Sequence, residues 1–327
     1  MEVVTNSWLG AEISSIEMVA LCRSLAITAG LCGCYYGTDL DQFQIRDGGS
    51  SWWHDKSPVT TGELFGIWGS AADDIYAVGT GGTILHSTRR GEWTVLDSPT
   101  TQTLYAIWGA APDDVFAVGA AGTVVHFDGS TWAASTIASA DLHGVWGASG
   151  HDVYAVGAAG TIVHFDGAWS AQTSGTTQDL FAVSGTSASD VVVTGHNPSG
   201  VLHSIGDGSW VREPLDLMNQ SIVLRCVVVD NFARLAGGVY GTSGQIWADN
   251  GTSWARIQTF GQTILALWSA PTGEIVAAGS AGMIRWSTDR SLWKIESTDM
   301  VDWNAAWGSS AHDVYLVGSG GRILHRQ

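Results

Sequence analysis

Residues Leu142–Trp169 read LHGVWGASGHDVYAVGAAGTIVHFDGAW, and this stretch decides the fold because it recurs. Leu104–Trp132 is LYAIWGAAPDDVFAVGAAGTVVHFDGSTW, Leu64–Trp93 is LFGIWGSAADDIYAVGTGGTILHSTRRGEW, and Trp303–His325 is WNAAWGSSAHDVYLVGSGGRILH. Each copy breaks into short apolar runs separated by Gly, Ala, Asp and Ser. In the earliest copy these are Leu64–Trp68, Ile75–Val78, Thr83–His86 and Trp93–Leu96. Runs of this length, rich in β-prone residues and bounded by turn formers, predict strands. The Gly-Gly and Ala-Gly pairs between the second and third runs supply the positive φ of tight connections.

The first-strand positions matching Trp68 are Trp108, Trp146, Ser184, Cys226, Trp268 and Trp307, at steps of 40, 38, 38, 42, 42 and 39 residues. A four-stranded unit repeating near this length predicts a blade of a β-propeller. Trp52, Trp93, Trp132, Trp169, Trp210, Trp254 and Trp293 mark fourth strands. Trp52 has no first strand before it, and the unit at Trp307 has no fourth strand after it. The expectation is an all-β, seven-bladed propeller of four-stranded antiparallel blades, closed three-plus-one by the N-terminal strand near Trp52. Closure of this kind removes unpaired strand edges.

Gly 42 and Trp 17 in 327 residues suit many short strands, and 45% hydrophobic against 14% charged residues describes a chain able to bury a core. The formal net charge of −17 argues against nucleic acid or an anionic membrane surface as a partner. No P-loop, GxSxG elbow, HExxH or dinucleotide fingerprint stands in a suitable context.

Three of the four cysteines, Cys22, Cys32 and Cys34, fall in the first 34 residues, where Arg23 is followed by a short apolar run and Leu31-Cys32-Gly33-Cys34. That segment resembles a bacterial lipoprotein signal with a lipobox, which implies lipidation at Cys34. Residues 1–17 carry Glu2, Glu12 and Glu17 and no basic residue, so Met18 is the expected start of such a signal. The expected organisation is a signal-like segment over 1–34, a tether over 35–50 and the propeller over 51–327. The location expected is a bacterial cell envelope, lipid-anchored or secreted, with membrane contact only through Cys34.

Asp47-Gly48-Gly49-Ser50-Ser51-Trp52 and Asp249-Asn250-Gly251-Thr252-Ser253-Trp254 resemble the Asp-box. Shorter versions are Asp128–Trp132, Asp166–Trp169 and Asp207–Trp210. Over about residues 50–327 the chain resembles bacterial WD40/YVTN/BNR-type repeat propellers. The resemblance implies a structural box, in which the Asp ties the turn and the Trp packs beneath it. It also extends to BNR-type photosystem assembly propellers, which use basic surfaces that this acidic chain does not offer. A sialidase would need an arginine triad, and the inner strands offer only Arg225 and Arg234.

His86, His126, His164, His203 and His325 share one register, filled by Trp247 and Trp286 in the fifth and sixth units. Spread around a ring, they cannot converge on one ion, so no metal and no cofactor is expected, and a packing role is. The acidic positions before the second strands, such as Asp73-Asp74 and Asp113-Asp114, recur too often for catalysis and are expected to tie turns to nearby backbone.

The fourth and fifth units lose the first-strand Trp and carry longer second-to-third connections, GHNPSG and GGVYGTSGQ. With the connection Arg212–Ser221, these departures are expected to cluster on one face. They define a candidate binding patch of His196, Asn197, Arg212, Met218, Asn219 and Tyr240. The function expected is a non-catalytic interaction or scaffold module, monomeric, binding a protein or glycan. The alternative is a propeller hydrolase or lyase acting on glycans or cyclic peptides at the central mouth.

Overall fold

The computed structural model describes residues 53–56, 60–89, 92–197, 200–216, 221–296 and 300–327. These residues form seven four-stranded sheets. We number the sheets as blades 1–7 and their strands a to d from the inside outward. Blade 1 comprises a, Leu64–Ala71; b, Asp74–Gly79; c, Ile84–Arg89; and d, Glu92–Leu96. The a strands of blades 2–7 are Leu104–Ala111, Leu142–Ser149, Leu180–Ser187, Ile222–Val229, Ile264–Ser269 and Trp303–Ser310. Each a strand contacts the a strands of both neighbouring blades, so the ring closes between blades 7 and 1. The protein is a seven-bladed β-propeller.

Blade 7 is completed from the other end of the chain. Trp53–Asp55 pairs antiparallel with Ile323–Arg326, and Trp53 faces Arg326. In blade 1 Trp93 faces Ser87, one place beyond His86; Trp53 likewise sits one place beyond His325. The outer-strand tryptophan of blade 7 is therefore Trp53, one residue later than expected, and Trp52 lies outside the described residues. Trp53 is 7% exposed and its Nε1 donates to Glu296 at 2.9 Å, tying the closing strand to blade 6.

Packing between blades follows from the repeated Trp-Gly pair. A Cβ on Gly109 would lie 2.5 Å from the ring of Trp68, on Gly147 2.7 Å from Trp108, and on Gly185 2.6 Å from Trp146. The same contact joins Trp268 to Gly308 and Trp307 to Gly69. Each inner tryptophan thus occupies the space that the next blade frees by having no side chain. The faces between blades fill with fully buried Leu, Ile and Val such as Leu64, Ile75, Leu104 and Val115. Each such side chain contributes ~1.5–3 kcal/mol on burial.

Blade 5 departs from the expected register. Gly238 abuts the Val223 carbonyl and the Leu224 Cα as Gly79 abuts those of Glu63 and Leu64, so Leu224 matches Leu64 and Val228 matches Trp68. Cys226 is two places away and buried against Gly237 and the blade 6 side. Val229 takes the glycine position, and its N–H donates to Ser184 Oγ of blade 4 at 3.2 Å. Where the tryptophan is lost the partnering glycine is lost as well, because nothing needs the space. The same alignment puts Ala248, not Trp247, in the histidine register; Trp247 is 3% exposed and faces Ala236.

The connection GGVYGTSGQ is not a longer loop. Strands Arg234–Tyr240 and Ser243–Asp249 run further and join by a tight turn with Gly241 at φ 60°. The other regular blades turn through one 3-10 segment, such as Ala120–Gly122, whose central residue has positive φ.

Candidate functional site

The outer half of five blades carries one packing device. His86 Nε2 meets Asp74 Oδ1 at 2.7 Å, and equivalent pairs join His126 to Asp114, His164 to Asp152, His203 to Asp190 and His325 to Asp313. Each of these aspartates reaches across to strand c. A hydroxyl donates to the other carboxylate oxygen in three blades: Ser70 to Asp74, Thr186 to Asp190, Ser309 to Asp313. In four of these blades the histidine ring stacks on the strand b aromatic, as His86 on Tyr76 with centroids 4.1 Å apart and His325 on Tyr315 at 3.9 Å. The d-strand tryptophan of the next blade meets that aromatic edge-on, as Trp132 meets Tyr76 and Trp210 meets Tyr154. Burial, aided by Asp74, pushes the Tyr76 phenol up to about 12. Among the described residues no group of three His, Cys, Asp or Glu is placed to hold a metal ion.

The turns between strands c and d are closed by single carboxylates or amides. Asp128 Oδ1 accepts from the N–H groups of Ser130 and Thr131 at 3.0 and 2.8 Å, before Trp132. Asp207 accepts from Ser209 N–H at 2.9 Å before Trp210. In blade 5 these bonds belong to Asn250, which accepts from Thr252 and Ser253 at 3.0 and 2.9 Å; Asp249 accepts from Gly251 instead. The residue doing this work before Trp254 is therefore one place later than the sequence pattern marks. Asp289 closes the blade 6 turn in the same way, accepting from Ser291 and Leu292. Asp166 N–H meets the Ala168 carbonyl at 3.5 Å before Trp169. Asp47 lies outside the described residues.

Blades 4 and 5 also share a charged seam. Arg234 bonds Asp190, Glu213 and Asp249, and Glu213 accepts from Trp254 Nε1 at 2.5 Å. This network consumes Arg234 in holding the two blades together.

Of the expected patch, three members come together. His196 bridges to Val223, Asn197 N–H donates to the Ile222 carbonyl at 3.0 Å, and Tyr240 faces Ile222. Arg212 does not join them: it is exposed on the outermost strand of blade 4, opposite Leu202. Beyond it the chain runs outward, where Leu215 bridges to Trp254 on the outer strand of blade 5. Met218, Asn219 and Cys34 lie outside the described residues.

The inner strands carry a feature that sequence repetition hides. Every a strand has a β-bulge at its second regular position, and the bulged residues are Phe65, Tyr105, His143, Phe181, Arg225, Leu265 and Asn304. A bulge re-aims its side chain out of the sheet. These residues lie near the start of strand a, on the face that carries the b–c connections, and form an inner rim around the axis. Six are half-buried and Arg225 is exposed.

Four of them form an arc. Phe65 and Tyr105 meet at 5.5 Å between centroids, Tyr105 and His143 at 5.6 Å, and His143 and Phe181 at 5.4 Å. His196 extends the arc, edge-on to Phe181 at 5.1 Å, which joins the patch to the rim. The Arg225 guanidinium sits over the Phe181 ring, 4.8 Å from its centroid. His143 Nδ1 meets the Leu180 carbonyl at 3.1 Å, and Asn304 Nδ2 donates to the Leu64 carbonyl at 2.9 Å, so both are held by the next blade. Burial and the Asp141 carboxylate hold the Tyr105 phenol above its ordinary pKa.

No family model matches the chain, and no curated protein matches it. Solved structures do. YCF48 from Cyanidioschyzon merolae is 15% identical with a TM-score of 0.67, covering 84% of this chain and 98% of that one. YCF48 bound to D1 peptide is 15% identical with a TM-score of 0.68, covering 85% and 97%. A catalytically inactive virginiamycin B lyase from Staphylococcus aureus with quinupristin is 11% identical with a TM-score of 0.73, covering 84% and 98%. At these identities the likeness is one of fold: a propeller shared by a peptide-bound protein and a lyase.

Proposed function

We propose that this chain is a non-catalytic interaction propeller of the bacterial Asp-box repeat type, held at a cell envelope through Cys34, whose inner rim receives a segment of a protein partner. The observation that carries the reading is the ring of seven bulged residues, four of them a continuous aromatic arc. Regular positions around the propeller repeat because they pack. The bulged positions differ from blade to blade, as a recognition surface requires. The rim supplies aromatic side chains and one arginine, the residue types that carry most binding energy at interfaces. None of the seven is acidic, and the Asp141 carboxylate reaches Tyr105 from the neighbouring blade. The structure of YCF48 with D1 peptide supports a peptide segment as the class of ligand for this fold.

The test uses the full chain with a photo-crosslinker in place of His143 or, as a control, of Val211 on the outer strand of blade 4, exposed to an envelope extract. Crosslinking of one protein from His143 and not from Val211 is expected, and its loss on Phe65→Ser with Tyr105→Ser. Equal crosslinking from both positions overturns the reading. A glycan partner would leave the protein crosslink absent.

A second reading, a lyase or hydrolase acting at the same rim, is favoured by the presence there of His143, Tyr105 and Arg225. Turnover of cyclic peptides or glycans that His143→Ala abolishes would establish it.

A further inference from the structure

We infer that the inner rim binds an aromatic carboxylate, its ring against the arc and its carboxylate on Arg225; this rests on the reading of the rim as a binding surface.

The arginine's surroundings carry the inference. Arg234 pairs with Asp190, Arg290 with Asp230, Arg322 with Asp55 and Arg326 with Glu296. These cations are consumed in joining strands and blades. Arg225 is exposed, and among the described residues it has no carboxylate within ion-pair distance; its partner is the Phe181 ring. An aromatic face orients a guanidinium without neutralising it. The rim thus holds an oriented, unspent cation on a chain of formal net charge −17. An anion is repelled by most of this surface and attracted here, which is how charge sets specificity more than raw affinity. Planar guanidinium geometry favours a carboxylate, which it grips through two N–H groups.

The ring requirement comes from the arc. Tyr105 and His143 meet at 69°, and His143 and Phe181 at 21°, so the arc offers both edges and faces at successive steps. The guanidinium already covers Phe181, which leaves the Tyr105–His143 portion for a ligand ring. Offset and edge-to-face contacts of this kind favour another aromatic group. Asn304 and His143 are held by neighbouring carbonyls, so the rim is set before a ligand arrives. Two sources share this chemistry: the C-terminal aromatic residue of a peptide and a free aromatic acid.

The experiment is calorimetric titration of the full chain with four probes: the peptide Gly-Gly-Ser-Gly-Phe with a free carboxylate, the same peptide amidated, the same peptide ending in Ala, and 3-phenylpropionate. The free-carboxylate Phe peptide is expected to bind, with amidation or the change to Ala each weakening it by about tenfold or more. Arg225→Met is expected to bring the acid down to the level of the amide while the melting temperature stays unchanged. Phe181→Leu, which loosens the arginine's seat, is expected to weaken the acid more than the amide. Phenylpropionate binding as well as the peptide assigns the free acid as the source, and weaker binding assigns the peptide terminus. Equal binding of acid and amide, discrimination that survives Arg225→Met, or displacement of the peptide by an oligogalacturonate overturns the inference. A protein captured through His143 in the crosslinking test, with no acid–amide discrimination, overturns this inference alone and leaves the binding rim standing.

Discussion

Trp68 of blade 1 and Gly109 of blade 2 share one space: the three heavy atoms nearest a Cβ on Gly109 would all belong to the Trp68 ring, at 2.5 to 2.8 Å. The chain fills this contact as Trp against Gly in five places and without a tryptophan where Ser184 meets Val229. Gly109→Ala should therefore cost ~1–3 kcal/mol, the range for overpacking a filled interior. In a Trp68→Ser background the same change should cost less, the remainder coming from the strand b carbonyl that lies 2.4 to 2.8 Å from a Cβ at the matching Gly69, Gly147, Gly185 and Gly308. Denaturant unfolding of the two single variants and the double variant measures the coupling, and equal costs in both backgrounds would refute a shared space.

The histidine–aspartate pairs share a geometry and differ in burial, which separates two effects. The His325 side chain is 0% exposed and that of Asp313 13%, whereas His126 and Asp114 are 38% and 31% exposed. Replacing either histidine by Phe keeps a ring on the strand b aromatic and removes the partner of the aspartate. His325→Phe should cost ~2–4 kcal/mol, because a buried carboxylate loses a partner. His126→Phe should cost under ~1 kcal/mol, since water can replace the imidazole. Matching melting curves for the two variants would show that the stack, not the pair, matters.

Asp128 gives a pH prediction with a natural control. Backbone N–H groups of Thr131, the Ser130 hydroxyl and the Ser130 N–H lower its pKa from 3.8 to about 2. A folded value below the unfolded one contributes stability that is fully present above the ordinary carboxylate range and is lost as pH falls through about 2. In blade 5 the same turn is closed by Asn250, which does not titrate. Asp128→Asn should therefore match the parent at pH 6 and lose less melting temperature than the parent between pH 4 and pH 2. A larger loss in the variant over that interval would contradict the assignment.

Ring closure is open to a direct test. Trp53 is buried, pairs with Arg326 across the strands and donates to Glu296. Trp53→Ala should cost ~3–5 kcal/mol, as for other buried tryptophans. Glu296→Gln keeps an oxygen for the indole but removes the carboxylate that pairs with the buried Arg326, so it too should be clearly destabilising. Thermal unfolding followed by tryptophan fluorescence reports both. A Trp53→Ala protein as stable as the parent would mean that the three remaining strands of blade 7 stand alone.

The sequence made the scaffold legible wherever packing repeats. Trp68, Trp108 and Trp146 recur because each fills the gap over a glycine one blade on, and that contact sets the period. Legibility failed for two physical reasons. In blade 5 the runs VLRCVVV and GGVYGTSGQIW are locally degenerate, so nothing in them shows that Val228 and Ala248 hold the positions given to Cys226 and Trp247. The inner rim was missed because a bulge leaves no mark in the sequence and its residue is free to vary. Phe65, Tyr105, His143 and Arg225 stand between apolar neighbours in their strands. The signal that marks them is the change of residue type at the second place of the first strand, Phe, Tyr, His, Phe and Asn in blades 1–4 and 7.

The last prediction links scaffold to rim through Asp141. Ala121, at φ 53°, adopts a backbone conformation that costs an alanine ~1–2 kcal/mol. Its N–H donates to Asp141 of the next blade at 2.8 Å, as Ala159 donates to Asp179 and Ala281 to Asp302. Blades 1 and 7 have Gly81 and Gly320 at this place, and there the next blade offers Thr103 or Glu63 in place of the aspartate. Asp141→Ala should cost ~1 kcal/mol, a net hydrogen bond, and Ala121→Gly should recover most of it by removing the strained Cβ. The same Asp141 carboxylate helps to hold the Tyr105 phenol above its ordinary value. Asp141→Ala should therefore lower the phenol's titration midpoint, read by ultraviolet absorbance, and Ala121→Gly should not restore it. Recovery of stability without recovery of the phenol would separate the strap that holds the turn from the charge that reaches the rim; if Ala121→Gly restored both, Asp141 would act on Tyr105 only by keeping the turn in place.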